Sequence, residues 1–194
     1  GAANAMAGVA HAWLDRDPVL IVTADFPETM WGKHTHQLLD LAALFRPVTN
    51  ATIRLTAAAV NEQIRDALRL VQNGRPGPVH LSLAGAVADE TIAVLTPQAP
   101  QPDVMAASPG AVATAAALLR SARRPLLLVG LGLEPERPYP ELRELAAALN
   151  APVIDTPKAK GSLPAAHPLC GGTIGLMQSD PAYALLDEAD CFIA

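Results

Sequence analysis

The sequence has few cysteines, no cluster of positive charge and no long apolar run, and each shortage argues against a class of protein. Two cysteines, Cys170 and Cys191, are too few for a disulfide framework and suit a reducing cytoplasm. No basic cluster exceeds Arg123-Arg124 and the net charge is −5, so a nucleic-acid partner is not expected. No apolar run approaches the roughly 20 residues of a membrane span, and no signal peptide is present. A nucleotide-binding P-loop, a nucleophile elbow and a zinc-protease HExxH motif are also missing.

The composition is that of a folded chain with a substantial core. Of the 194 residues 51% are hydrophobic and 17% are charged. This is too apolar for a disordered chain and sufficient for one large or two small domains. The chain begins at Gly1 and stops at Ala194, directly after an apolar run, so we expect a piece of a longer protein.

The first half alternates strand and helix signals. Helices are predicted over 4–14, with Asn4 as cap, and over 38–45 and 57–72. Strands are predicted over 18–24, 48–55 and 79–83, and the β-branched first run predicts burial on both faces. The order β–α–β–α–β predicts a parallel sheet with helices on both faces.

Prolines interrupt this pattern and a second unit follows. We predict a linker over 85–108, helices over 111–122, 139–149 and 182–189, strands over 125–129, 152–155 and 191–193, and a long loop over 158–175. The predicted fold class is therefore α/β, with two parallel-sheet units, the second Rossmann-like. The predicted domains are 1–84 and 109–194.

Ligands of such folds bind beyond the carboxyl ends of the strands. His34 and His36 follow the first strand and suit a substrate or cofactor pocket, or simply a polar surface loop. Two such histidines could also ligate a metal, but no cysteine or close carboxylate completes the ligand set. Gly130 and Gly132 follow a strand, but Pro135 breaks the dinucleotide fingerprint, so a tight turn and a nucleotide site both stay open. Arg75, in the turn 74–78, either reaches solvent or holds a phosphate.

Eight short motifs in order resemble the acetolactate-synthase-like group of thiamine-diphosphate enzymes and cover nearly the whole chain. Residues 1–4 (GAAN) resemble the end of the group's G-P-G-A-T-N loop, and 74–78 (GRPGP) match the turn before the strand that closes its first domain. The others are 35–40 (THQLLD), 46–49 (RPVT), 130–132 (GLG), 151–153 (APV), 160–169 (KGSLPAAHPL) and 172–175 (GTIG).

The resemblance implies the back half of a pyrimidine-binding domain, residues 1–84, followed by most of a central domain. It implies thiamine diphosphate and Mg²⁺ as cofactors of a parent enzyme that decarboxylates or ligates small 2-keto acids as a homodimer or homotetramer. Gln37 matches the glutamine beside the cofactor, and Gly1 and Asn4 match the loop near its pyrimidine ring. Arg75 matches a position that meets FAD in flavin-bearing members. The catalytic glutamate and the G-D-G metal motif are expected outside this chain, so the chain alone is expected to be inactive.

Several positions depart from the group's pattern. His36 stands where acetolactate synthases carry Phe in the substrate pocket, so we expect His36, with His34, to meet a more polar substrate. Leu38 replaces Glu, Asn50 replaces Lys, and 176–178 (LMQ) replace a flavin-binding M-H-G. These departures leave FAD and acetolactate specificity open. Residues 23–27 (TADFP) and 77–81 (GPVHL) also resemble the menaquinone-pathway carboligase MenD, and a non-catalytic nucleotide-binding module is the alternative from another class.

Overall fold

The computed structural model describes residues 1–33, 36–93, 106–133, 139–175 and 180–194. The chain divides into two compact units, Gly1–Met105 and Ala106–Ala194. Each unit is built on one sheet in which every pairing is parallel. The predicted fold class, two α/β units with parallel sheets, is confirmed.

The first unit has a three-stranded sheet with the order β1-β3-β2. Its elements are α1 Ala2–Asp15, β1 Leu20–Asp25, α2 Leu41–Phe45, β2 Ala51–Arg54, α3 Val60–Gln72, β3 Val79–Ala84 and α4 Gly85–Ala88, with 3-10 turns at Glu28–Met30 and Arg46–Val48.

The central strand β3 separates two packed layers. Val79 and Leu81 are buried in one cluster with Ala67 and Val71 of α3. Because side chains alternate along a strand, His80 points to the opposite face. There its ring stacks on Phe45 of α2, with the ring centroids 4.4 Å apart.

The prediction that β1 is buried on both faces is wrong. β1 pairs only with β3 among the described strands, so it is an edge strand, and Val22 is 59% exposed. The β-branched run indicates that a strand forms, but it does not fix the position of that strand in the sheet. The strand buried on both sides is β3.

Asn4 is not the cap of the first helix. The helix begins at Ala2 with Gly1 as its N-cap residue, and the Asn4 N–H donates to the Gly1 carbonyl oxygen at 3.1 Å. Asn4 therefore lies inside the first turn, with an exposed side chain.

The second unit has a four-stranded sheet with the order β6-β5-β4-β7. Its elements are α5 Pro109–Ser121, β4 Pro125–Val129, α6 Pro140–Leu149, β5 Val153–Asp155, β6 Cys170–Thr173, α7 Asp180–Glu188 and β7 Cys191–Ile193, with a 3-10 turn at Pro157–Ala159. Ser108 caps α5 by accepting the Ala111 N–H at 3.2 Å, as its place before Pro109 favours.

Both faces of this sheet are covered. Leu127 and Val153 pack in one cluster with Ala146 of α6. Leu126 and Ile154 pack in another with residues of α7. The predicted loop over 158–175 contains a strand that was not predicted, β6, whose sequence is CGGT. Cys170 and Cys191 are both partly exposed free thiols.

The predicted linker over 85–108 includes some regular structure. It begins with the short helix Gly85–Ala88, and its residues 94–105 lie outside the described part of the chain. The assignment of 1–84 and 109–194 to the two named domains stays a prediction.

Candidate functional site

The three strands of the first sheet end at one edge, which is the edge where sequence reasoning predicts a site. Asp25 ends β1, Arg54 ends β2 and Ala84 ends β3. The parallel pairing sets Asp25 opposite Ala84 and Arg54 opposite Ser82. The segment that follows β1 starts at this carboxyl edge and carries His36 and Gln37, where the rule for open α/β sheets expects a ligand.

Arg54 holds the start of that segment. Its Nη1 donates to Asp25 Oδ2 at 2.8 Å and its Nη2 donates to the Phe26 carbonyl oxygen at 2.6 Å. The Asp25 side chain is only 6% exposed and that of Arg54 is 28% exposed. Asp25 also accepts the Phe26 N–H through Oδ1 at 2.7 Å. The ion pair is therefore largely shielded from water and tied to the backbone.

The guanidinium of Arg54 has a third partner. It lies over the ring of Trp31, 5.3 Å from the ring centroid. Trp31 follows the 3-10 turn Glu28–Met30 and is half exposed. A cation at this distance from an indole face is attracted by the ring quadrupole.

The other end of the segment is fixed by a helix cap. Asp40 accepts the Ala43 N–H at 2.8 Å through Oδ1 and so caps α2. The stretch that bears the predicted site residues is thus anchored at Asp25 and at Asp40. His34 lies outside the described residues.

Gln37 has a backbone conformation that its residue type disfavours. Its φ is +63°, and a non-glycine residue in this left-handed region carries strain. Two other non-glycine residues of the described part, Arg16 and Asn150, have positive φ, but each is the C-cap of a helix, where this conformation is usual. Gln37 instead lies in a turn at residues 36–37, and its side chain, like that of His36, is exposed.

A buried histidine lies near the start of the central strand β3, and sequence reasoning did not single it out. His80 is 1% exposed, and its Nε2 hydrogen-bonds to Thr23 Oγ1 at 2.8 Å. Burial lowers the pKa of His80, and the negative charge of Asp25 opposes that shift only in part. Its Nδ1 has no hydrogen-bond partner within the described residues. The ring is therefore a neutral core group rather than an exposed acid or base.

The GRPGP turn has a local structural explanation. Asn50 Nδ2 donates to the carbonyl oxygens of Leu70 and Arg75, at 3.0 and 3.1 Å. A Cβ at Gly77 would lie 3.3 Å from Asn50 Nδ2, so glycine lets the turn approach this amide closely. The asparagine that replaces the resembled group's lysine thus joins β2 to the turn.

Arg75 reaches the surface, which was one of its two predicted alternatives. Its guanidinium lies over the ring of Trp13, 5.0 Å from the centroid, and the residue is exposed. Gly1 and Asn4 are exposed at the start of α1. Their role and that of Arg75 toward a cofactor stay predictions.

The second unit has polar groups at its own carboxyl edge. Asp155 ends β5, is 7% exposed and accepts a hydrogen bond from Thr173 Oγ1 at 2.6 Å. After β4 the chain turns at Gly130, whose carbonyl oxygen accepts the Leu133 N–H at 3.2 Å. The predicted tight turn is therefore present. Residues 134–138, which include Pro135, and 176–178 lie outside the described part.

The described residues do not assemble a metal centre, and the cavity found in the second unit lies away from the predicted edge. Within them, no group of three or more His, Cys, Asp or Glu side chains could hold a metal ion. A cavity of about 210 Å³ in the second unit is lined by residues such as Arg123, Leu126 and Asn150. These residues lie where strand β4 begins and helix α6 ends, which is the edge opposite to the one predicted to bind ligands.

Comparison with known proteins gives a consistent result. Residues 112–194 match the family model of the thiamine pyrophosphate enzyme central domain. The whole chain is 31% identical over 202 residues to a probable acetolactate synthase large subunit of Methanococcus aeolicus and covers 34% of it. It is 32% identical to the acetolactate synthase isozyme 1 large subunit of Escherichia coli, with all of the chain and 34% of that protein aligned.

The Bacillus subtilis acetolactate synthase is 30% identical over 194 residues, covering 98% of this chain and 34% of that protein. The chain thus spans about one third of the length of these curated relatives. Within the described residues, no helix is both long enough and apolar enough to cross a membrane.

Proposed function

Because the chain belongs to the acetolactate-synthase-like group of thiamine-diphosphate-dependent enzymes, we propose that the whole protein decarboxylates or ligates small 2-keto acids. The support is the similarity to acetolactate synthase large subunits along the whole chain. These names do not favour the MenD-like or the non-catalytic alternative. We propose a cytoplasmic homo-oligomer, as the resemblance implies.

The single structural observation that carries the proposal is the conformation of Gln37. The resemblance assigns this position to the cofactor, and its φ of +63° marks it independently as strained. Strain of this kind is concentrated at binding and catalytic sites. The exposed amide offers both a donor and an acceptor, so it suits the nitrogen-rich pyrimidine ring of thiamine diphosphate.

When bound, the cofactor supplies an electron sink for the carbanion left after decarboxylation. The residues of this chain hold and orient it. We propose that Gln37 pairs with the cofactor and that Gly1 and Asn4 border its ring, whereas Arg75 keeps its proposed role toward FAD. In this proposal the Mg²⁺ ligands and the catalytic glutamate lie in segments outside this chain.

The test is turnover by the whole protein. We expect CO₂ release from pyruvate or another small 2-keto acid that depends on thiamine diphosphate and Mg²⁺. Gln37→Ala removes one hydrogen-bonding amide, which is worth about 1–1.5 kcal/mol, so the half-saturating cofactor concentration should rise roughly tenfold. Gln72→Ala, at an exposed glutamine that ends α3, is the matched control. No cofactor-dependent turnover with any 2-keto acid would reject the function.

The 194-residue chain should not itself turn over pyruvate, because the proposed acid and metal ligands are absent from it. CO₂ release by the purified chain above a cofactor-only control would contradict that assignment.

We further propose that His36 and His34 face the substrate. Replacing His36 by Phe, the residue of acetolactate synthases, removes an imidazole N–H that can donate a hydrogen bond. Loss of a hydrogen bond to a charged group costs about 1.5–3 kcal/mol. In the whole protein, His36→Phe should therefore change the ranking of kcat/KM across 2-keto acids. An unchanged ranking with less than about a threefold change in rate would leave His36 a space-filling residue.

FAD binding is a separate proposal for the second unit. It is motivated by the Gly130 turn and by the polar groups at the carboxyl edge, Asp155 and Thr173. The hydroxyl of Thr173 already donates a hydrogen bond to one carboxylate oxygen of Asp155. A ribose hydroxyl would therefore have to bind the Asp155 carboxylate beside Thr173. Flavin absorbance that co-purifies with the whole protein would support the proposal, and colourless protein that fails to quench added FAD would reject it.

A further inference from the structure

We propose that Arg54 is the positioning residue of the segment that carries Gln37 to the cofactor. Arg54 is not itself assigned to the cofactor or the substrate. It acts through Asp25, Phe26 and Trp31, which it contacts directly. The inference rests on the proposed function, since it gives Gln37 its cofactor role.

The sheet register explains how Arg54 reaches across to β1. Arg54 and Asp25 lie on edge strands either side of β3, and these two strands are about 9–10 Å apart. Their neighbours on β3 are Ser82 and Ala84, which pair with Arg54 and Asp25 respectively. Both are small, and both are buried. A long side chain can pass over these two positions, and the guanidinium thereby links the two outer strands at the carboxyl edge.

The backbone of Arg54 is itself held in place. Gln63 of α3 donates from Nε2 to the Arg54 carbonyl oxygen at 2.9 Å. The same side chain accepts the Thr56 N–H through Oε1 at 3.0 Å. Arg54 is thus fixed to β3 by the sheet and to α3 by this amide, so it is a rigid point to which a loop can be attached.

A residue with a strained backbone, such as Gln37, needs neighbouring segments that are fixed in place. The left-handed backbone of Gln37 persists only where its surroundings determine it. Asp40 fixes the segment on the α2 side. On the β1 side the fixing contacts are the two hydrogen bonds and the ring contact of Arg54. Without them, the segment from Asp25 to Trp31 loses these three contacts with β2.

Arginine is required for this arrangement rather than positive charge alone. Its planar fork donates to a carboxylate and a carbonyl at once and lies flat on an aromatic ring. A lysine ammonium is a single point of attachment. Arg54→Lys should therefore give an effect between those of the wild type and Arg54→Met.

The first arm of the test measures the segment directly, without reference to activity. Limited trypsin digestion of the whole protein, with fragments identified by mass spectrometry, reports the rate of cleavage after the exposed Lys33. We expect at least a fivefold faster cleavage in Arg54→Met and a smaller acceleration in Arg54→Lys. Arg69→Met is the matched control, because Arg69 also pairs with an aspartate, Asp66 at 3.2 Å, but on the exposed face of α3. Equal cleavage rates in all four proteins would overturn the proposal.

The second arm tests whether the contacts of Arg54 affect the binding of thiamine diphosphate. We expect Arg54→Met to raise the half-saturating thiamine diphosphate concentration about tenfold, while kcat at saturating cofactor changes less than threefold. A general folding defect would lower kcat and leave the half-saturation point unmoved. Faster cleavage with unchanged cofactor half-saturation would overturn the positioning role and leave the proposed function intact. A wild-type protein that binds no thiamine diphosphate would overturn the proposed function first, and this inference with it.

Discussion

Replacement of Gln37 by glycine should separate stability from function at the candidate site. At a φ of +63°, an L-residue carries about 1–2 kcal/mol of backbone strain, which glycine does not. Glycine also adds freedom to the unfolded chain, which offsets roughly 0.4–1 kcal/mol of that gain. The Gln37 side chain is exposed, so its loss removes little packing. The net expectation is a stabilisation of about 0.5–1 kcal/mol.

Thermal unfolding of the chain is the assay for the first effect. A change of 1 kcal/mol moves Tm by about 2–4 °C in a protein of this size, so Gln37→Gly should unfold about 1–4 °C higher than the wild type. Arg16→Gly is the matched control, because Arg16 also has a positive φ, +60°, and lies at a helix C-cap. Both variants should stabilise the chain.

The two variants should differ in the whole protein. Gln37→Gly removes the amide proposed to pair with thiamine diphosphate, so the half-saturating cofactor concentration should rise about tenfold, whereas Arg16→Gly should leave it unchanged. If Gln37→Gly lowers Tm while Arg16→Gly raises it, the backbone at Gln37 is not strained. If cofactor binding is unchanged in both variants, the strain has no link to the cofactor.

Three further predictions concern the two cores. Burial lowers the pKa of His80 in the folded state, so the unfolded state takes up more protons as the pH falls below 6.5. In that window the wild type should lose up to about 1.4 kcal/mol of unfolding free energy per pH unit more than His80→Leu. Parallel urea-unfolding free energies between pH 7.5 and 5.5 would contradict this. Phe45→Ala, at a fully buried ring, should cost about 3–5 kcal/mol in urea unfolding, whereas Leu39→Ala, 48% exposed, should change little. Gly171→Ala would place a Cβ 2.8 Å from Ile154 Cγ2 and 2.8 Å from Leu185 Cδ1, so it should cost about 1–3 kcal/mol; Gly110→Ala, which meets nothing within 4 Å, should not destabilise.

The alternation of strands and helices was predictable because it depends on local hydrophobic periodicity. The position of each strand in its sheet was not. Strand β1, whose β-branched run predicts burial on both faces, lies at an edge, whereas the central strand β3 carries His80 and Ser82. These polar residues are tolerated in the core because of long-range partners, such as Thr23 for His80, which no local pattern reveals.

Strand β6 escaped prediction for a different reason. Its two glycines suggest a loop, but Gly171 is required because Ile154 and Leu185 fill the space of a side chain. Likewise, Gln37 was selected through motif resemblance, while its positive φ and the Arg54 anchor depend on residues far apart in sequence. The candidate positions were therefore accessible from the sequence, and the contacts that hold them were not.

The edge position of β1 has a consequence for handling the purified chain. Within the described residues no strand pairs with its outer side, and Val22 leaves its side chain in water there. A free strand edge with an apolar face is a template on which another chain can add a strand. Concentrated samples should accordingly form oligomers that grow with protein concentration. Val22→Lys would place a charge on this edge strand. Such samples should then stay monodisperse, and neither hydrophobic core would be changed.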